Sequence, residues 1–362
     1  MLKRWLIWLT LLCSTGSGWA QPAAHLYRGQ VNIDNQSSAA IQSAFRQGLV
    51  QVLTKVSGNT SIDTLPKIKN QLNRAKSLVQ SYQYAANPDA PPALRLTIQY
   101  DKAGILKLLT DNGQAIWQTS RPLTLIWITT ENGNTITTTD TNETKKEIDA
   151  TAEQRGLPII FPMMDLQDQA ITTTSTLSAQ QTQSLLERYH AEAILVGNIQ
   201  SNKTPAVINW QYLSKQQPMN WQSHSPSLLN ALDDGINQLS DMLANQFSVI
   251  QSSNLRSTYT LSIQGINTLS DYGRLIKLVK NNNLIDQYEI KDMNNDTVII
   301  NISSGADLTS INQSILASHK LTAAEPSDTA ANTLSYQWTT SNSAVVINTN
   351  SGIDHHGNTV GS

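Results

Sequence analysis

"STYTLSIQGI" at residues 257–266, followed by "LSDYGRLIKLVKNN" at 269–282, decides how this chain is read. The first run is β-branched and alternating, the signature of a strand; the second repeats its apolar residues at helical spacing, with Ser270 as the expected cap. Continuing toward the C-terminus, "IDQYEIKDM" is a second strand, Asn294-Asn295-Asp296 a turn, and "TVIINISS" a third strand. "DLTSINQSILASHK" is a second helix and "TLSYQWTT" a last strand. The order β-α-β-β-α-β over 255–340 is the ferredoxin-like arrangement, a common interaction unit whose fold alone does not fix its role.

Working back from there, residues 119–250 form a second module. "LTLIWITTENG" is an apolar strand closing at an Asn132-Gly133 turn, and a polar helix spans about Lys145 to Gln154 and stops at Gly156. "LPIIFPMM" suits a central strand, "SAQQTQSLLERYHAE" a helix and "AILVGNI" a buried strand. "AVINWQYL" and "MNWQSH" are further strands, and the final helix carries the stripe Leu228, Leu232, Ile236, Leu239, Leu243 and Phe247. Strands alternating with helices predict a sheet covered by helices, an α/β module similar to the TolB amino-terminal domain.

Residues 21–118 read as a mixed α and β module. A strand in "AHLYRGQVNI" precedes a helix capped at Ser37 or Ser38, whose Ile41, Ala44, Phe45, Leu49, Val52, Leu53 and Val56 make one buried stripe ended by Gly58. "LPKIKNQLNRAKSLVQSY" is expected to be a second helix with Pro66 in its first turn. "PPALRLTIQY" is a strand, and "KAGILKLLTDNG" a helix ended by Gly113. The fold class is therefore α+β and α/β, in three small mixed modules.

At the ends, "MLKRWLIWLTLLCSTGSGWA" has the basic start, short apolar run and small residues of a secretory signal peptide, residues 1–20, with cleavage expected after Ala20. Cys13 is preceded by Leu12 rather than a small residue, which argues against lipidation, and cleavage would leave no cysteine for a disulfide, a thiol nucleophile or a metal. Residues 341–362 are rich in Ser, Asn, Thr and Gly without periodicity and are expected to be a disordered tail. The expected compartment is the periplasm, with a peripheral membrane association left open and no transmembrane segment after cleavage.

Charge narrows the partners. The 362-residue chain has 25 basic and 27 acidic residues, a net charge of −2, and charged residues make up only 14%. No basic field marks a nucleic-acid surface, so a nucleic-acid partner is not expected.

For chemistry, the six histidines show no metal-ligand spacing, and there is no H-E-x-x-H, C-x-x-C or P-loop pattern; neither a metal nor a cofactor is expected. His355 and His356 fall in the tail. His190 and Glu192, at a helix-to-strand turn, are the most site-like residues, although a histidine there also simply closes a helix C-terminus. Asp165 and Asp168, or Asp233 and Asp234, are weighed as an acid and base pair, the latter two pointing to different helix faces. Trp127, Trp210, Trp221 and Trp338 all lie in strands and are expected in the core, with Trp221 the exception that could stack on a sugar.

The run "LYRGQVNIDNQSSAAIQSAFRQGLVQVLTKVSGN", together with "AILVGNI" and the later "WQ" strand, resembles the DUF2066 family of proteobacterial proteins, over about Leu26 to Phe247. The resemblance implies a secreted α/β protein and transfers no catalytic residue. The leading expectation is a periplasmic, non-enzymatic accessory or scaffold protein binding another envelope component, with an envelope protein as partner. The alternatives are an envelope glycan or peptidoglycan hydrolase using Asp165, Asp168 or Glu192, and a glycan-binding module using Trp221.

Overall fold

The computed structural model describes residues 23–86, 94–130, 134–171, 177–200, 205–214, 218–252, 255–324 and 332–339. Residues 1–20, expected to be a signal peptide, the expected tail with His355 and His356, and the expected Asn132-Gly133 turn lie outside the described residues.

The first module runs α1 (Ala23–Leu26), β1 (Arg28–Ile33), α2 (Ser38–Ser57), α3 (Pro66–Leu72), β2 (Val79–Ala86), β3 (Leu94–Tyr100), α4 (Lys102–Asp111) and β4 (Ala115–Trp117). Its antiparallel sheet has the order β1-β3-β2. Ser37 caps α2 by accepting from the Ala40 N–H, and Gly58 ends it in the left-handed region at φ 76. The stripe from Ala44 to Val56 is buried in the module's core with Leu96, Ile98 and Tyr100. Helix and sheet come together backbone to backbone where Gly29 of β1 meets Gly48 of α2: a Cβ on Gly29 would stand 2.7 Å from the Gly48 Cα. The Tyr100 hydroxyl donates to the Phe45 carbonyl at 2.5 Å across the same contact.

Two expectations fail in this module. The residues before Tyr27 form the short helix α1 instead of extending the strand. The expected long second helix ends at Leu72; its remainder forms a short 3-10 helix at Ala75–Leu78 and then strand β2, which pairs with β3. Helical spacing and strand pairing compete in such a polar run, and the open edge of β3 decides in favour of the strand.

The second module comprises β5 (Thr124–Thr129), α5 (Glu143–Arg155), β6 (Ile159–Ile160), α6 (Leu166–Ile171), α7 (Ala179–Tyr189), β7 (Ala193–Gln200), β8 (Ala206–Ser214), β9 (Met219–Ser225), α8 (Leu228–Phe247) and β10 (Ser248–Ile250). The sheet order is β6-β5-β7-β8-β9, with β6, β5 and β7 parallel and β8 and β9 antiparallel. Alternation along the strands splits them between two cores. Ile126, Ile128 and Leu195 pack with α5 and α8, while Leu125, Trp127, Ile194 and Val196 pack with α7. The sheet is covered by helices, but the "LPIIFPMM" strand is an edge of two residues, not a central strand. The crossover from β6 past β5 to β7 contains the expected helix α7 and, before it, α6, which the sequence did not announce. Beyond α8, β10 leaves this module's sheet and pairs with β4 of the first module.

The third module consists of β11 (Ser257–Gln264), α9 (Leu269–Asn281), β12 (Gln287–Asn294), β13 (Thr297–Ser304), α10 (Leu308–Leu316), β14 (Leu321–Ala323) and β15 (Thr333–Trp338). Its sheet order is β12-β13-β11-β15-β14. The four strands expected from the sequence stand in the ferredoxin-like order, but that sheet is antiparallel throughout, whereas here the additional edge strand β14 reverses the chain before β15, which therefore runs parallel to β11. Thr268, not Ser270, caps α9, accepting from the Asp271 N–H. Asn295 holds the β12–β13 turn at φ 52, a conformation asparagine tolerates.

Candidate functional site

The modules meet through the β4–β10 pairing and through Trp117, which packs in the second module's core, and buried or half-buried cations stand at their joints. Arg121, in the connector before β5, is 6% exposed and lies 3.8 Å over the Trp117 ring. It donates to the carbonyls of Arg155 and Gly156 at 3.0 and 2.7 Å and to that of Lys55, so one guanidinium closes the C-termini of α5 and α2 together. Burial pushes its pKa down to about 9, which leaves it charged at neutral pH. Arg155 reaches back to the Gly58 carbonyl and pairs with Asp241 of α8, and Lys55 pairs with Glu153 of α5. The valine-serine-glycine-asparagine stop of α2 is therefore the surface against which the second module docks.

The third module is held in the same way. Lys102 of α4 donates to the carbonyls of Lys280 and Asn281 at 3.0 Å each, at the C-terminus of α9. Burial, assisted by the neighbouring Lys280 charge, lowers its pKa to about 8. Asn283 accepts from the Tyr27 hydroxyl at 2.6 Å, and Gln251 donates to the Asn283 carbonyl.

Between these joints lies a cleft of about 290 Å³ to which the connector, the second module and the third module all contribute. Arg274 and Lys277 of α9, Lys320 after α10, Ser120 of the connector and Glu192 of the second module line it. Glu192 meets His319 across the module boundary at 2.9 Å. Thus Glu192, singled out from the sequence, does line a cleft, but its partners come from a module about 80 to 130 residues further along and no local spacing announces them.

The other sequence candidates fall elsewhere. His190 is exposed and takes the left-handed C-cap position of α7 at φ 48. His190 and Glu192 both precede β7, so they sit at the N-terminal edge of the parallel strands, opposite the edge where such sheets bind ligands. Asp165 and Asp168 follow β6 at the C-terminal edge and therefore do not meet Glu192. Asp168 is fully buried; it accepts from the Tyr189 hydroxyl and the Met164 N–H and pairs with Arg188, which also pairs with Asp165. Backbone hydrogen bonding, chiefly from Asp168, and the Arg188 guanidinium hold Asp165 below the usual carboxylate range. Asp233 and Asp234 accept from Thr151 and Ser225, respectively.

Trp127, Trp210 and Trp338 are buried as expected. Trp221 is half-buried and stacks on Trp210, with ring centroids 6.2 Å apart and planes 16° apart, on the face that packs against α8. A shallow depression of about 400 Å³ on β7–β9 is lined by Asn198, Asn209, Gln211, Asn220 and Gln222 together with Trp210 and Trp221, so Trp221 does border a concavity. Among the described residues no group of three or more His, Cys, Asp or Glu is placed to hold a metal, and no helix is long and apolar enough to cross a membrane.

Residues 20–118 match the family model described as a domain of unknown function, DUF8605. The match covers the first module, including the motif that resembles DUF2066, and it is to a different family model. Neither a curated protein nor a solved structure matches the chain.

Proposed function

We propose that this is a non-enzymatic accessory or scaffold protein of the cell envelope, acting in the periplasm by binding another envelope protein. One observation carries the reading. Strand β12 forms an edge of the third sheet, and all eight of its residues are exposed. Tyr288, Ile290 and Met293 on it are 38, 39 and 55% exposed. An open edge offers unpaired N–H and C=O groups to an extended segment, and apolar side chains on it add contact area. The same strand has a bulge between Ile290 and Asp292, and Glu289, Lys291 and Asp292 are charged; both features disfavour indiscriminate edge-to-edge pairing. This combination fits a specific protein partner better than a small substrate. The envelope assignment rests on the basic start and apolar run of residues 1–20.

The test is cross-linking in intact cells followed by mass spectrometry, with wild type beside Ile290→Lys. A reproducible envelope-protein partner that is lost with Ile290→Lys supports the reading. Turnover of an envelope glycan by the purified chain, or capture that ignores the substitution, overturns it.

A further inference from the structure

We propose that the cleft formed by the connector, Glu192 of the second module and the third module binds a small ligand bearing an oxyanion, a phosphate or carboxylate group. The chain as a whole is slightly acidic, with a net charge of −2, yet cations gather here. Arg274, Lys277 and Lys320 line the cleft, and Lys102 and Lys280 meet at the adjoining end of α9. The carboxylates present are already matched: Asp271 pairs with Arg274 at 2.5 Å and Glu192 with His319 at 2.9 Å. Among the described residues neither Lys277 nor Lys320 has an ion-pair partner within 4.0 Å.

Like charges facing one cleft repel, and an anion between them relieves that repulsion while accepting charge-assisted hydrogen bonds. The hydroxyl of Ser120 stands on the same lining and supplies a neutral donor of the kind that oxyanion sites commonly combine with ammonium groups. A volume of about 290 Å³ limits the ligand to a small molecule or a single headgroup. Since the lining comes from the connector, Glu192 and the third module, such a ligand bridges modules that are far apart in sequence.

The experiment is calorimetric titration of the full chain at low ionic strength and pH 7. Inorganic phosphate is the probe in one arm and phosphatidylglycerol vesicles in the other. Lys277→Gln/Lys320→Gln is compared with wild type and with Lys107→Gln, which removes an exposed lysine of α4 outside the cleft. Both lysines of the double variant are exposed, so it is expected to fold, and far-UV circular dichroism verifies this. Saturable binding that weakens about tenfold or more in the double variant and is unchanged in Lys107→Gln is the expected result. Response to phosphate alone identifies a soluble ligand; response to vesicles with the same loss identifies a lipid headgroup. Absence of saturable binding in both arms, binding that survives the double substitution, or equal weakening by Lys107→Gln overturns the proposal. None of these outcomes depends on whether β12 recruits a protein partner.

Discussion

Arg121→Met removes the guanidinium that closes two helices at once, while the Met side chain keeps much of the apolar contact with Trp117. Four carbonyls, those of Lys55, Gln118, Arg155 and Gly156, lose a charged donor in a buried setting. Each unsatisfied buried acceptor costs about 1–3 kcal/mol, and partial entry of water and removal of the cation's own desolvation cost offset part of the sum. A net loss of about 3–5 kcal/mol is expected, a large fraction of the roughly 5–15 kcal/mol that ordinary domains possess. The loss falls on the joint between the first and second modules, so their unfolding should separate. Urea unfolding followed by far-UV circular dichroism and by tryptophan fluorescence is the assay. Wild type should give coincident transitions, and Arg121→Met an earlier phase with a reduced slope, because less surface is exposed in each step. Arg121→Lys should recover only a small part, since a point ammonium cannot span four carbonyls. A loss below about 1 kcal/mol with coincident transitions would show that the guanidinium is not what joins the modules.

Two further outcomes test the same joints. Gly58→Ala puts a Cβ 2.4 Å from the Ala244 Cβ at a residue with φ 76; left-handed strain and overpacking together predict a loss of about 2–4 kcal/mol, read as a lowered urea midpoint. An unchanged midpoint would show that α2 and α8 do not meet there. Lys102, with its folded pKa lowered to about 8 from 10.5, binds fewer protons folded than unfolded between those values. Its contribution to stability therefore rises with pH from about 8 to about 10.5, and falls back as pH drops through the folded value, by up to about 3 kcal/mol. The difference between wild type and Lys102→Met in urea should change by that sign across the window, and a difference independent of pH would refute it.

Local patterns in the sequence determined much of the secondary structure. The α2 stripe with its Ser37 cap and Gly58 stop, the α8 stripe, and the strand and helix order of the third module are all set by short-range spacing and capping chemistry, which a neighbourhood of a few residues contains. Where a polar run satisfied two periods, as at Val79–Ala86, an edge strand distant in sequence chose between them. The placement of β6 at an edge, the pairing of β10 with β4, and the addition of β14 likewise depend on partners that no local window contains. Glu192 was legible as a polar residue at a turn, but Lys277, His319 and Lys320 were indistinguishable from a solvated face until α9 and the end of α10 were brought beside it. The same holds for Arg121, Arg155, Lys55 and Lys102. A buried cation and an exposed one have the same local signature, and only the helix C-termini brought to them by tertiary packing turn these residues into the joints of the molecule.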